Sequence, residues 1–265
     1  MAASSNIAIT HADTGLVTAE VVRAEQVSPH FVRVTIGGDE VSGWRDLGFD
    51  QWFRLAVPTN DHTRFDNLPG KFDTPSYLKY LLLLPKATKP VFRNYTVAEF
   101  RADAGELDID FVVHGTDGVA APWAASLPVG QHVALIDQGC GYRHVDGAEQ
   151  TVLVGDETAL PAIAGILRDL PRGIRGHAVI EVPDVADQRP LAGPDGVEVH
   201  WIVRSHADAA GSLALERLAS LEFGASTDGF AAGESKLATG ARRLFVNERG
   251  VPKTDIDFCG YWKAR

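Results

Sequence analysis

Through the first half of the chain, apolar and polar positions alternate with a period of two. Leu16-Val17-Thr18-Ala19-Glu20-Val21-Val22 and Phe31-Val32-Arg33-Val34-Thr35-Ile36 read as strands, punctuated by Ser28-Pro29 and Gly37-Gly38. Trp52-Phe53-Arg54-Leu55-Ala56-Val57 predicts a third strand, stopped by Pro58. A polar loop over 60–74 and a short helix or turn over 76–84 follow, then strands over 91–101, 107–114 and 131–137. Six strands with little helix predict a small antiparallel β-barrel.

After Gly147 the period changes. Thr151-Val152-Leu153-Val154 reads as a buried strand. Leu160, Ile163, Ile166, Leu167 and Leu170 then recur at helical spacing. Strands over 177–182, 197–203, 228–232 and 255–260 interleave with helices over 211–222 and 235–248, the pattern of a parallel α/β sheet. The expected organisation is a barrel over 1–147 and an α/β unit over 148–265, with the boundary in the Gly/Asp-containing segment 138–150.

Charge and composition narrow the classes of function. The net charge of −10 argues against a nucleic-acid-binding surface. The charge is uneven: residues 231–265 hold seven Lys/Arg against four Asp/Glu, a basic end that suits an anionic ligand. The apolar run Leu81-Leu82-Leu83-Leu84 is too short to span a bilayer, and Met1–His11 lacks the apolar core of a signal peptide. The expectation is a cytoplasmic protein with no membrane span. Two cysteines, Cys140 and Cys259, cannot hold an iron–sulfur cluster, which needs about four ligands, and a reduced pair is expected. The nine histidines show no metal-ligand spacing, and there is no Gly-x-Ser-x-Gly elbow, so neither a resident metal nor a hydrolytic residue is expected. Ser205, His206 and Asp208 read as a local loop cluster.

The chemistry concentrates in residues 93–123. Arg93 offers a fixed cation with a planar fork of donors suited to phosphate. Tyr95 lies two residues on, on the same side of a strand, and Thr96 adds a hydroxyl. After the strand 107–114, Gly115 to Gly118 form a turn into a helix expected near Pro122, and a helix start after a glycine turn is a natural anion site. Elsewhere, Asp156-Glu157-Thr158 lies where a reductase places its glycine-rich turn, and no Gly-x-Gly-x-x-Gly follows any predicted strand. Two carboxylates suit a helix cap and are poor company for a pyrophosphate.

Arg93-Asn94-Tyr95-Thr96, Glu106-Leu107-Asp108-Ile109-Asp110-Phe111-Val112 with His114-Gly115, Asp156-Glu157-Thr158-Ala159-Leu160-Pro161, and the terminal Gly260-Tyr261-Trp262-Lys263 together resemble the siderophore-interacting protein family, which is similar to the ferredoxin–NADP reductases. The resemblance spans roughly residues 16–263. It implies a ferredoxin reductase-like fold and FAD, with Arg93 on the pyrophosphate, Tyr95 against the ring or ribityl chain and Thr96 near N5. It adds His114, Gly115, Gly118, Ala120, Ala121, Trp123, Thr158 and Trp262 as cofactor contacts; Trp123 reads equally well as core. It implies a basic group for an anionic ferric siderophore, for which Arg54, Arg143 and Lys263 are the candidates. Two departures stand out: Ala121 lacks the family's hydroxyl, and Ala98 replaces an arginine. The implied activity is reduction of ferric siderophore to release Fe(II), with electrons from NAD(P)H or a ferredoxin. The alternatives are a general flavin-dependent NAD(P)H oxidoreductase and a non-catalytic ferric-chelate binder.

Overall fold

The computed structural model describes residues 5–7, 15–70, 84–113 and 118–264, with positions 75, 78, 80 and 82 between them. The chain divides into two units. One comprises residues 9–47 and 51–139; the other comprises 1–8, 48–50 and 140–265.

In the first unit, strands β1 (Leu16–Ser28), β2 (Phe31–Gly37), β3 (Trp52–Val57), β4 (Val91–Thr96), β5 (Glu99–Arg101), β6 (Glu106–Val112) and β7 (His132–Gly139) form one antiparallel sheet. Their order is β4-β3-β7-β1-β2-β6-β5. Two short helices join them, α1 (Asp39–Ser42) and α2 (Ala120–Ala125). The described positions 75, 78, 80 and 82 are helical.

Seven strands appear where six were predicted, because the segment 91–101 is two strands. The Val97 amide donates to the Gln51 carbonyl, and the Ala98 amide donates to the Asp108 carbonyl (2.8 and 3.0 Å). The chain thus leaves β3 and joins β6 within two residues. β4 and β5 lie at opposite ends of the strand order, so this step closes the sheet on itself.

Alternation sorts the barrel's two faces. On β6, Leu107, Ile109 and Phe111 are fully buried in the core with Val34, Ile36, Phe53, Leu55 and Leu135. Asp108 and Asp110 occupy the other face, opposite Thr35 and Arg33 on β2. Arg33 bonds Asp110 (2.7 Å), and Arg101 grips both Asp108 oxygens at 2.7 Å. Burial alone would raise the Asp108 pKa, but the hydrogen bonds from Arg101 and Thr35 and the nearby guanidiniums outweigh it and hold the carboxyl below its ordinary value.

The second unit carries β8 (Gln150–Gly155), β9 (Arg175–Val182), β10 (Gly196–Val203), β11 (Thr227–Glu234) and β12 (Ile256–Trp262), all parallel, in the order β10-β9-β8-β11-β12. Helices α3 (Leu160–Asp169), α4 (Ser212–Ser220) and α5 (Ser235–Arg243) connect them. The predicted helix over 235–248 ends as α5 at Arg243 and continues as one π-type turn over Leu244–Glu248. β11 is longer than its sequence suggested. Its eight residues are all buried between β8 and β12, yet Thr-Asp-Gly-Phe-Ala-Ala-Gly-Glu carries little branched apolar signal. No helix of the described residues is long and apolar enough to cross a membrane. Cys140 and Cys259 are not joined in a disulfide.

Ile109 has no exposed surface and sits in the middle of the barrel core. Ile109→Ala is expected to cost about 2–5 kcal/mol of unfolding free energy, read as a lower denaturant midpoint with an unchanged slope. A loss under 1 kcal/mol would mean that this core is loosely packed.

Candidate functional site

β4 is the strand that presents chemistry. Its register with β3 pairs Leu55 with Arg93, Phe53 with Tyr95, Arg54 with Asn94 and Trp52 with Thr96. Directly paired residues share a face. Arg93 and Tyr95 therefore lie on the face of the core residues Phe53 and Leu55, while Thr96 lies on the opposite face with Arg54 and Trp52. Arg93 is exposed in the middle of the strand. One guanidinium nitrogen donates to the Phe92 carbonyl at 2.8 Å, and the group makes no ion pair among the described residues. Most of its donors are therefore available to an incoming anion.

Tyr95 is half-buried. Its ring packs on Phe111 with centroids 4.3 Å apart and planes at 45°. Desolvation pushes its hydroxyl well above the ordinary tyrosine value, against the pull of the Arg93 charge, so the group stays a neutral donor. Thr96 is buried at the strand end. On its face, the Trp52 indole nitrogen is buried with no hydrogen-bond partner among the described residues. An orphaned donor beside a threonine and an arginine marks a place where a polar ligand would complete the bonding. Sequence reasoning passed Trp52 over, because a tryptophan on a predicted strand reads as core.

Gly118 stands just ahead of α2 with φ +87°, a left-handed conformation that favours glycine, and a Cβ there would meet nothing within 4 Å. α2 begins at Ala120, two residues before the expected Pro122, and no side chain caps its first turn. Ala120 is buried and Ala121 partly so. Trp123 takes a packing role: it is 9% exposed, its ring lies 5.6 Å from that of Phe111, and its indole nitrogen donates to Gln131 at 2.8 Å. The expectations for His114 and Gly115 fall outside the described residues. An uncapped helix start behind an open glycine, an unpaired arginine and an aromatic over the core are donors and surfaces that fit a flavin nucleotide.

In the α/β unit, the carboxyl ends of β8 and β11 meet where the strand order reverses, the place where such sheets hold ligands. A carboxylate fills that point. Asp156 is fully buried and accepts from the Thr158 amide (2.9 Å), the Thr158 hydroxyl (2.5 Å), the Glu234 amide (2.6 Å) and the Trp262 indole (2.8 Å). Gly233, at φ +124°, leaves just enough room: a Cβ there would stand 2.6 Å from the Asp156 carboxyl atoms. Burial, helped by the adjacent Glu157 charge, pushes the Asp156 pKa up to about 6. Glu157 is bound by both terminal nitrogens of Arg204 at 2.5 and 2.6 Å. Asp156 is thus the helix cap that the sequence suggested and, in addition, the anchor for Trp262.

The basic candidates separate. Arg54 is half-buried on β3. Arg143 is committed to Asp257: its backbone amide donates to one carboxylate oxygen at 2.7 Å, while Nε (3.1 Å) and a terminal nitrogen bond the other. It is a structural ion pair rather than a free cation. Lys263 follows β12, is exposed, and has no ion-pair partner among the described residues. Ser205 and Asp208 bond each other in an exposed loop, as the sequence indicated.

Comparison with known proteins places these features together. Residues 20–140 match the family model described as the siderophore-interacting FAD-binding domain, and residues 148–265 match that of the siderophore-interacting protein. The chain is 30% identical over 246 residues to the ferric vibriobactin reductase ViuB of Vibrio cholerae, covering 92% of this chain and 88% of that one. It is 28% identical to the NADPH-dependent ferric-chelate reductase of Escherichia coli, covering 92% of each. The crystal structure of a siderophore utilization protein from T. fusca superposes with a TM-score of 0.76 at 32% identity, covering 94% of this chain and 92% of that one. A barrel that matches an FAD-binding domain, followed by a parallel α/β sheet, defines a flavin-dependent reductase of the ferredoxin reductase type. The chain belongs to the siderophore-interacting protein family.

Asp156→Ala is expected to leave the buried Glu234 amide and the Trp262 indole without acceptors, costing at least about 1–3 kcal/mol and red-shifting tryptophan emission. The effect depends on pH. The folded pKa of about 6 lies above the ordinary aspartate value of 3.8, so Asp156 favours the folded state most below pH 3.8 and loses that contribution as pH rises through about 6. The stability gap between wild type and variant should therefore widen as the pH falls from 7 to 4.5; a gap that narrows would reverse the assignment.

Proposed function

We propose that the protein reduces a ferric siderophore at an FAD bound on the barrel unit, releasing iron as Fe(II) in the cytoplasm. The observation that carries this reading is the unpaired Arg93 beside Tyr95 on β4, in a chain whose matched domain is a siderophore-interacting FAD-binding one. FAD supplies the redox chemistry, taking electrons from a reduced donor and passing them to Fe(III). The chain's residues bind and orient. The Arg93 guanidinium neutralises phosphate charge, the Gly118 turn and the start of α2 offer backbone donors, and Tyr95 and Thr96 supply a flat surface and hydroxyls. The Trp52 indole offers a further donor. Lys263 supplies positive charge for an anionic ferric complex, with Arg54 as a second cation. Trp262, fixed by Asp156, gives the α/β unit a positioned aromatic, and Thr158 lies next to it in that network. No side chain has to act as acid, base or nucleophile, since the step is electron transfer. We assign the flavin to residues 1–147 and the basic end to 148–265, a division supported by the two family matches.

The relative from Escherichia coli, named for NADPH dependence, favours a nicotinamide donor. A second reading rests on Asp156. A buried carboxylate at the strand-order reversal leaves no anion cradle there for a pyrophosphate, which favours a ferredoxin as donor. Anaerobic flavin reduction by NADH, NADPH and reduced ferredoxin separates the two. Failure of all three would remove the reductase reading.

Arg93→Ala is expected to weaken FAD retention by about 1.5–3 kcal/mol, roughly 10- to 150-fold, read as a lower ratio of 450 nm to 280 nm absorbance after gel filtration. Unchanged flavin content would detach Arg93 from the phosphate. Lys263→Ala is expected to raise KM for anionic ferric complexes and to flatten its salt dependence with FAD still bound. Identical KM values across salt concentrations would remove Lys263 from the substrate site.

A further inference from the structure

The second unit holds a constellation that the reductase reading does not use. His177 on β9 is the direct register partner of Glu198 on β10, and His200 lies two residues beyond Glu198, so all three share one face of the sheet. One ligating atom from each lies within 4.8 Å of the others. His177 Nδ1 is 3.0 Å from His200 Nε2 and 3.9 Å from Glu198 Oε2, while Glu198 Oε1 is 3.5 Å from His200 Nδ1. The nearest sequence signal was Glu-x-His on a predicted strand, and its partner is 23 residues away on the neighbouring strand.

We propose that His177, His200 and Glu198 form a binding site for a divalent first-row transition ion. Two imidazole nitrogens that each sit about 2.1 Å from one ion stand roughly 3–3.5 Å apart, the separation found here. Two imidazoles and a carboxylate with open positions suit Zn²⁺ and Fe²⁺. His177 and Glu198 also line an open cleft of about 440 Å³ with Arg175, Gly176 and Glu149, which gives an ion and its remaining waters a way in.

The protons set the price of entry. Arg217 on α4 lies 3.2 Å from His200 Nδ1. A guanidinium only donates, so without metal this Nδ1 accepts and the ring proton sits on Nε2, bonding His177 Nδ1. An ion replaces that proton between the rings. The proton moves to His200 Nδ1, where Glu198 is the nearby acceptor, and Arg217 withdraws on its flexible stem. No net proton is lost. Arg217 thus competes with metal. The site is independent of the flavin assignment.

The test uses the full chain, flavin included, stripped with chelator and titrated calorimetrically with Zn²⁺ and, anaerobically, with Fe²⁺. One saturable site is expected, with Zn²⁺ the tighter ion. His177→Ala and Glu198→Gln should each weaken Zn²⁺ at least tenfold, with the far-UV spectrum and flavin content unchanged. Arg217→Met should tighten it several-fold, an effect that a purely structural histidine pair would not produce. No saturable binding below 1 mM, or the same affinity in His177→Ala and Glu198→Gln as in wild type, overturns the site. An Arg217→Met protein that binds no more tightly than wild type overturns it as well.

Discussion

Two backbone hydrogen bonds, from Val97 to Gln51 and from Ala98 to Asp108, hold the barrel shut. They fix the step by which the chain bridges the two ends of a seven-stranded sheet, and Arg93, Tyr95 and Thr96 lie just before it. β4 ends there with Thr96 buried, while Arg93 in mid-strand is exposed. β6 runs on the far side of that step and lends Phe111 to the ring of Tyr95. β4 is hydrogen-bonded on one side only, to β3, so Arg93 and Tyr95 stand at one end of the strand order. Closure turns them into the rim of a structured surface, and the ordering cost is met by the buried aliphatic and aromatic core beneath.

The α/β unit solves a different problem. A parallel sheet of this order opens a crevice where the strand order reverses, and most such proteins use it for a phosphate. Here a buried carboxylate stands at that reversal. Asp156 satisfies donors from the end of β8, the end of β11 and the last strand at once. A buried carboxylate is costly unless its acceptor capacity is used, and four donors use it. The site-like geometry of the fold remains, but its chemistry has become that of a joint.

Much of this was legible in the sequence because it is local. The period-two strands, the switch to helical spacing after Gly147 and the Arg93-x-Tyr95-Thr96 order each depend on residues within a few positions of one another. What sequence could not show depends on distance along the chain. The pairing of Arg143 was hidden because its partner, Asp257, lies 114 residues on. Asp156 read as a simple cap because Trp262 is 106 residues away. The corner at Val97–Ala98 has no glycine or proline to mark it and is made by two partners from elsewhere. β11 read as a short strand because burial on both faces was supplied by its neighbours rather than by its own residues.

The contact between Gly233 and Asp156 constrains how this lineage can change. With 2.6 Å between the carboxylate and any methyl group placed at 233, neither residue is free to vary while the other stays. Shortening the acid would strand the donors around it, and enlarging the glycine would drive the acid out. A nucleotide cradle at this spot would require both positions to change together and a new tether for the aromatic of β12. Single substitutions lead only downhill in stability, so the joint acts as an evolutionary latch.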